Sequence, residues 1–170
     1  MLREAGAGRD ALGRRLVRFH LIDRVEELEP KASVRARKVT SFSEDYWEEA
    51  DGELRMPPPF VLEAFCQAGT WLILISTDRK KRAALLQVGS VTWHREVRPG
   101  DVLIMEGKIA SFGDETAVLG GTVTVDGELV LECEDVMCAL IDADDLADLE
   151  TTKMLQDMLW PPAEGAEGAE

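Results

Sequence analysis

Two polar side chains interrupt an otherwise apolar stretch of the sequence, PFVLEAFCQAGTWLILIST. Glu63 and Gln67 are four residues apart, so they lie on one face of a helix, and Thr70 extends this polar stripe. A carboxyl and an amide buried without partners are costly, so they either hydrogen-bond to neighbouring strands or a second subunit, or they serve a site. A carboxyl removed from water tends to hold its proton, which suits a general acid.

Other residues with reactive side chains are few. The chain has two histidines, His20 and His94, which we predict to be strand residues; either reaches the polar helix only if the fold brings it there. Cys66, Cys133 and Cys138 have no metal-ligand spacing, so we expect free buried thiols, no metal and no cofactor. Cys133 and Cys138 are five residues apart in a strand-like run, which predicts that they lie on opposite faces.

The elements that must position these residues follow from the periodicity of apolar side chains. Pro57-Pro58-Pro59 predicts a helix start, because proline is favoured in the first turn, and the charged residues 78–82 predict its end in solvent. Residues 41–55 predict a loop or a short helix. Six strands are predicted: Arg18–Glu29, Lys31–Thr40, Leu85–Val97, Asp101–Phe112, Thr116–Val125 and Glu128–Ile141.

The predicted order is two strands, one long helix and four strands in a meander. A helix that is apolar nearly all round must be buried, and a curved antiparallel sheet wrapped around it would bury it. This is the hot-dog arrangement, an α+β fold. Open sheet edges favour pairing between subunits, so we expect a homodimer or a higher oligomer. Phe60–Ile75 is shorter than a membrane span of about 20 residues and contains two polar side chains, so no membrane insertion is expected.

Composition sets the predicted domain limits and excludes one class of partner. We predict a flexible leader at 1–16, a hot-dog domain at 17–142, a C-terminal helix at 143–160 and a disordered acidic tail at 161–170. The net charge of −14 argues against a nucleic-acid partner. The N-terminus lacks an apolar signal segment, so a cytoplasmic location is expected.

Four segments resemble motifs of the β-hydroxyacyl-[acyl-carrier-protein] dehydratases of the FabZ and FabA type. FHLIDRV at 19–25 resembles the family's opening strand, PFLLVDRV, and MPPPFVLEAFCQAG at 56–69 resembles MPGVLxxEAxAQxxG. REVRPGDV at 95–102 resembles RxPVxPGDxL, and VTVDGEL at 123–129 resembles the last hairpin. The resemblance covers about residues 18–141 in the family's order and implies the hot-dog fold.

The resemblance also implies a reaction, the loss of water from a 3-hydroxyacyl thioester of acyl carrier protein or coenzyme A in fatty-acid or polyketide-type metabolism. In the family, a histidine is the base, and backbone N–H groups at the helix start polarise the thioester carbonyl. A helix carboxylate from the other subunit acts on the hydroxyl. Glu63 falls on that carboxylate position, and Gln67 lies one turn beyond it, so a catalytic role is implied for both.

Six further residues are predicted to bind the substrate: Phe60, Gly69, Trp71, Arg79, Lys80 and Arg95. The two aromatic side chains either line an acyl tunnel or fill it. The basic side chains stand out in an acidic protein, so they either dock an acidic carrier protein or the phosphates of coenzyme A, or simply form solvated loops.

The sequence departs from the family pattern at two catalytic positions. Glu49 occupies the position of the histidine, and Pro58 replaces the glycine of the MPG motif. A carboxylate is a poor substitute for the histidine beside a second acid, and proline has no N–H to donate. We therefore expect impaired or lost dehydratase catalysis.

Three alternatives remain open at this level. The chain is a non-catalytic partner of an active paralogue that supplies the histidine, or it is an active thioesterase or dehydratase that uses Glu63 with a relocated base. The third is an interaction protein that recruits a partner through its C-terminal helix and acidic tail.

Overall fold

The computed structural model describes residues 19–142 and 149–160, so the predicted leader at 1–16 and the predicted tail at 161–170 lie outside the described residues, as do 143–148. The strands are β1 (Arg24–Glu29), β2 (Ser33–Val39), β3 (Glu48–Ala50), β4 (Glu53–Arg55), β5 (Lys81–Trp93), β6 (Val102–Phe112), β7 (Thr116–Val125) and β8 (Glu128–Asp142). The helices are α1 (Pro58–Ser76) and α2 (Leu149–Leu159).

A six-stranded antiparallel sheet forms the body of the domain, in the order β1-β2-β6-β7-β8-β5. The predicted meander is correct for β6, β7 and β8, but it is wrong for β5, which pairs with β8 instead of β6. Residues 94–101, which include the Pro99-Gly100 turn, carry the chain across the sheet rather than through a hairpin. As a result, β5 is an edge strand.

Helix α1 packs against the sheet and supplies much of the core. Pro58 and Pro59 occupy its first two positions, as predicted, because their missing N–H groups would have no partner there. Eight helix residues are buried: Val61, Ala64, Phe65, Ala68, Gly69, Leu72, Ile73 and Leu74. By length and composition alone, α1 could cross a membrane. A helix that packs in the core of a domain is equally apolar, and α1 packs against the sheet in this way.

Residues 48–55 form a two-stranded hairpin, so the prediction of a loop or short helix for 41–55 was wrong there. β3 pairs with β4 through a two-residue turn in which Asp51 and Gly52 have φ angles of 55° and 78°. Positive φ at both positions defines the type I′ turn, and Asp-Gly is its usual sequence. The same signal correctly predicted the turn at Asp126-Gly127 between β7 and β8.

Strand β5 begins four residues earlier than the sequence predicted. Its first two residues, Lys81 and Arg82, pair with Asp142 and Ile141 of β8, and the Lys81 ammonium lies 2.8 Å from the Asp142 carboxylate. The sequence predicts that the charged residues 78–82 lie in solvent, but Lys81 and Arg82 belong to a strand because β8 supplies their backbone partners. The strand likewise ends at Trp93 rather than Val97.

Strand β8 contains a bulge that reverses the alternation of buried and exposed side chains along the strand. Asp135 has a φ of 53°, and residues 134 and 135 are both exposed, so the inward face shifts by one residue. Cys133 and Cys138 are therefore both buried on the same face, contrary to the prediction of opposite faces. Gly89 faces the bulge, where a Cβ atom would lie 2.6 Å from the Asp135 Cβ.

Helix α2 packs back onto the domain. Leu159 is buried, and Trp160 packs against the core. Thr152 contacts the Arg82 guanidinium, and the Arg79 guanidinium donates to Gln156 Oε1 at 3.3 Å. These contacts favour a helix packed on its own sheet over a free recruiting segment. The predicted boundary between 142 and 143 falls next to residues outside the described ranges and stays a prediction.

Candidate functional site

The polar stripe predicted on α1 forms a connected hydrogen-bond network. The Leu21 backbone N–H donates to Gln67 Oε1 at 2.8 Å, and this fixes the orientation of the amide, because an N–H can only donate. Gln67 Nε2 then points to Glu63 Oε1 at 2.9 Å and to the Phe19 carbonyl oxygen at 3.2 Å. Gln67 thus ties the carboxylate to the segment that leads into β1.

A cavity of about 190 Å³ lies between α1 and the sheet next to this network. Glu63, Gln67 and Thr70 line it from the helix, and Thr70 Oγ1 is occupied by the Cys66 carbonyl oxygen at 3.0 Å. The sheet side is apolar and comprises Ala83, Leu85, Leu119, Val136 and Cys138. Within the described part of the chain, Glu63 Oε2 has no hydrogen-bond partner, so this carboxylate oxygen is left for a ligand.

The beginning of α1 is poor in hydrogen-bond donors. Pro58 and Pro59 have no N–H, and the Phe60 N–H donates to the Pro57 carbonyl oxygen at 2.9 Å. A helix N-terminus normally offers several free N–H groups to an anion or an oxyanion. Pro57, at the N-cap, also lacks an N–H, so none of the four residues 57–60 offers a free donor.

Glu49 does not reach Glu63 within this chain. It lies in β3 with its side chain exposed, and it does not line the Glu63 cavity. Its neighbours Glu48 and Ala50 line a second cavity of about 420 Å³, which also includes Pro58 and the segment 93–97. Because side chains alternate along a strand, Glu49 points away from that second cavity as well.

Neither histidine lines the Glu63 cavity. His20 is exposed in the extended segment before β1, and His94 directly follows the end of β5, so neither lies within a strand as predicted. His94 is exposed, contributes to the second cavity, and has Nε2 4.0 Å from Glu132 Oε2. Of the two, His20 is the nearer to the Glu63 network in the chain, because its neighbours Phe19 and Leu21 both hydrogen-bond to Gln67.

The residues predicted to bind substrate are dispersed. Gly69 lines the Glu63 cavity, and Arg95 lines the second cavity, where it is paired with Asp101 and Glu128. Arg79 and Lys80 are exposed at the turn after α1. The two predicted aromatic residues line neither cavity; both are half-buried against the core.

Phe60, in the first turn of α1, packs against two aromatic side chains. Its ring centroid lies 5.1 Å from that of Phe19 and 5.7 Å from that of Tyr46, both in edge-to-face contact. Burial raises the pKa of Tyr46, so its hydroxyl stays neutral. Phe60 therefore packs the start of the helix against the segments before β1 and β3.

Sequence reasoning missed the cavity residues contributed by the strands and by Cys66. Leu119, Val136 and Cys138 lie 50 residues or more from Glu63, so no local spacing connects them to it. Burial raises the pKa of the Cys66 thiol to about 12, and the charge of Glu63 adds to this effect, so the thiol is neutral beside the carboxylate.

Replacement of Gln67 by methionine is expected to destabilise the fold by about 1–3 kcal/mol. Leu21 is only 1% exposed, so its N–H would be left buried without an acceptor. Urea unfolding measures the loss. Gln87→Met, an exposed position on β5, is the matched control and should change the free energy of unfolding by less than about 0.5 kcal/mol. Equal stability of the two variants would mean that the Gln67 bond contributes nothing.

The antiparallel sheet, the helix packed against it and the cavity between them define an α+β domain of the hot-dog type. Residues 15–134 match the FabA-like domain family, so this chain belongs to that family.

Relatives with known names agree with this family. The 3-hydroxyacyl-[acyl-carrier-protein] dehydratase FabZ of Solibacter usitatus is 34% identical over 129 residues, which cover 75% of this chain and 79% of the relative. The enzyme of the same name from Clostridium novyi is 34% identical over 118 residues, covering 68% and 83%. The family inferred from the sequence motifs is confirmed.

Solved structures show the same fold at low sequence identity. The dehydratase heterocomplex ApeI:P of Xenorhabdus doucetiae has a TM-score of 0.58 at 16% identity, covering 79% of this chain and 88% of that one. A hypothetical thioesterase with coenzyme A from Streptococcus pneumoniae has a TM-score of 0.52 at 19% identity, covering 70% and 86%. The prediction of a hot-dog α+β fold is confirmed.

Proposed function

We propose that this protein binds acyl thioesters of acyl carrier protein or coenzyme A, with the acyl chain beside Glu63, and that its dehydratase catalysis is impaired. The observation that carries the proposal is the Glu63 cavity, a largely apolar space with one carboxylate oxygen left for a ligand. The names of the FabZ relatives support the acyl-thioester class.

Glu63 is suited to act on the 3-hydroxyl of a bound acyl group. Its Oε1 is held by the Gln67 amide, which leaves Oε2 to face the ligand. When protonated, Glu63 would donate to the hydroxyl and assist its departure as water. Gln67 is then a positioning residue, because it acts through the carboxylate.

The rest of the dehydratase machinery is weak. Pro58 and Pro59 remove two N–H donors at the helix start, where the thioester carbonyl would be polarised. Glu49, at the position of the family's histidine, is exposed and directed away from both cavities. Binding is thus supported by the site more strongly than turnover is.

A thioesterase is the second candidate. Glu63 would activate a water molecule for attack on the thioester carbonyl, and the likeness to a thioesterase structure holding coenzyme A favours this class. The same loss of N–H donors weakens it, since the tetrahedral intermediate also carries an oxyanion. Release of free thiol that is abolished by Glu63→Gln would support it.

Strand β5 supports pairing with a second subunit. It is a 13-residue edge strand, and its Leu85, Leu86 and Trp93 side chains are 54%, 58% and 43% exposed. Edges of this kind tend to pair. Leu85 lines the Glu63 cavity, so a partner on β5 would cover its open side. The partner is a second copy or, given the heterocomplex ApeI:P, a paralogue that carries the missing histidine.

Calorimetric titration with hexanoyl coenzyme A and with free coenzyme A tests the proposed binding. Hexanoyl coenzyme A is expected to bind at least about tenfold more tightly, because each buried methylene contributes about fourfold. Thr70→Phe, which fills the cavity, should remove the difference, whereas Thr92→Phe on the exposed side of β5 should preserve it. Equal affinity for the two ligands in the unmodified protein would sink the proposal.

A further inference from the structure

Two arginines beside α2 carry a positive charge that no carboxylate of the described chain neutralises. The Arg79 guanidinium donates to Gln156 Oε1 at 3.3 Å, and the Arg82 guanidinium contacts the Thr152 hydroxyl, so both acceptors are neutral. Arg82 Nε is also buried and has no hydrogen-bond partner among the described residues. Other arginines of the domain pair with carboxylates: Arg35, Arg37, Arg55, Arg95 and Arg98.

Two lysines extend this positive surface. Lys80 is exposed and lies between the two arginines in the sequence, and Lys31 is held at the same end of α1, because its backbone N–H donates to Ser76 Oγ at 2.7 Å. The neighbouring Asp78 offsets one of these charges. We name four residues the basic surface: Lys31, Arg79, Lys80 and Arg82. On a chain with a formal charge of −14, this surface attracts anions that an acidic protein otherwise repels.

Helix α2 holds the two guanidiniums at a fixed spacing. Thr152 and Gln156 are one helical turn apart, with about 5–6 Å between their Cβ atoms, and each contacts one of the two arginines. A phosphate group offers several acceptor oxygens, and arginine binds it through paired N–H···O bonds. Side chains that are held in place beforehand lose less conformational entropy when a ligand binds. Helix α2 lies outside residues 15–134, which match the family, so this arrangement is not part of the matched domain.

We propose that the basic surface is a phosphate-binding site in which Arg79 and Arg82 contact the phosphate and Gln156 positions Arg79. The neutral acceptors on α2 orient the guanidiniums without cancelling their charge, which leaves N–H donors for an anion. The phosphate belongs either to the carrier of an acyl thioester or to a separate phosphorylated ligand. Arg82 is three residues from Leu85, about 10 Å along β5, and Leu85 lines the Glu63 cavity. The first assignment rests on the proposed function, whereas the phosphate site itself does not.

Calorimetric titration of the 170-residue protein with inorganic triphosphate tests the site. Triphosphate has no acyl group, so its binding does not depend on Glu63. At about 0.1 M salt, Arg79→Gln is expected to weaken the affinity about tenfold, because hydrogen bonds to a charged group are lost. Arg98→Gln is the matched control, since it removes the same charge from an arginine that is 52% exposed and pairs with Glu53. It should change the affinity less than about twofold, because charges more than about 10 Å apart are largely screened.

Replacement of Gln156 by leucine tests its positioning role. Gln156→Leu should weaken triphosphate binding about threefold in the unmodified protein, because Arg79 loses the acceptor that orients it. In the Arg79→Gln background the same change should have no effect, since no guanidinium is left to position. An equal loss in both backgrounds would mean that Gln156 acts only through the packing of α2, and its positioning role would be wrong.

Competition distinguishes the two sources of the phosphate. If the site holds the thioester carrier, excess triphosphate should weaken the binding of hexanoyl coenzyme A but not of hexanoyl pantetheine, which lacks phosphate groups. If it weakens neither, the site takes a separate phosphorylated ligand. Absence of triphosphate binding, or equal affinities of Arg79→Gln and Arg98→Gln, overturns the phosphate site and leaves acyl binding at Glu63 unaffected. If hexanoyl coenzyme A binds no better than free coenzyme A, the proposed function fails, but the triphosphate result stands.

Discussion

The purified protein is expected to dehydrate 3-hydroxyacyl thioesters at least about 10⁴-fold more slowly than a relative with the family's histidine and MPG glycine. A positioned base contributes about 10²–10⁴-fold, and one oxyanion donor contributes about 10²–10³-fold. Glu49 is exposed, and Pro58 has no N–H, so we expect neither contribution from these two positions. The rate is measured from enoyl absorbance, beside the Clostridium novyi relative. Turnover within tenfold of that relative would show that another group serves as base, and His20→Gln and His94→Gln would locate it.

An imidazole and one N–H donor introduced beside the helix start should raise the rate. Pro58→Gly returns one N–H to the helix start, and Ala50→His places an imidazole on the second cavity, which Pro58 also lines. We expect the double variant to gain about 100-fold. Pro58→Gly with Glu49→His is the matched control, because the side chain at 49 lies on the other side of β3. An equal gain in both variants would mean that the hairpin orients residue 49 toward the site during turnover.

Gly121→Ala is expected to cost about 3 kcal/mol or more of the free energy of unfolding. Gly121 pairs with Gly107 between β7 and β6, and the ring of Phe65, which is 2% exposed, lies against both. A Cβ at residue 121 would overlap the Glu106 carbonyl oxygen and lie 2.8 Å from Phe65 Cε2. The strand backbone itself would have to move. Denaturant unfolding measures the change.

Two comparisons separate this overlap from a general effect of replacing glycine. Gly113→Ala should change the stability by less than about 0.5 kcal/mol, because the nearest atom to its new Cβ, the Thr116 carbonyl oxygen, is 3.4 Å away. Phe65→Leu combined with Gly121→Ala should not restore stability, since the overlap with the Glu106 carbonyl oxygen remains. Recovery in that double variant would show that the ring is the main obstacle.

The position of β5 at the sheet edge bears on both acyl binding and catalysis, because a second subunit could pair with this strand next to the Glu63 cavity. The Glu63 cavity and the cavity beside the helix start are separate in one chain, and Leu85 of the edge strand lines the first of them. A subunit bound along β5 would cover the Glu63 cavity. If that subunit carries a histidine at the position that Glu49 occupies here, the helix carboxylate of this chain would complete a functional pair.

The elements with local signals were predictable from the sequence. The buried helix follows from its apolar run and its opening prolines, and the hairpin at Asp126-Gly127 follows from a dipeptide that favours positive φ. The order of the motifs was enough to identify the family. Glu63 and Gln67 were found because a four-residue spacing places both on one face of a helix.

Which distant residues come into contact depends on the tertiary fold and was not predictable from the sequence. Leu119, Val136 and Cys138 form the wall of the Glu63 cavity because β7 and β8 pass beneath α1, and nothing in their local sequence marks this. The bulge at Asp135 placed both strand cysteines on one face, since a single inserted residue reverses a period of two. β5 is an edge strand because it pairs with β8 and not with β6, although β6 is the next strand in the sequence. Local periodicity specifies which face of an element is buried, whereas the choice of neighbour depends on long-range packing that spacing does not encode.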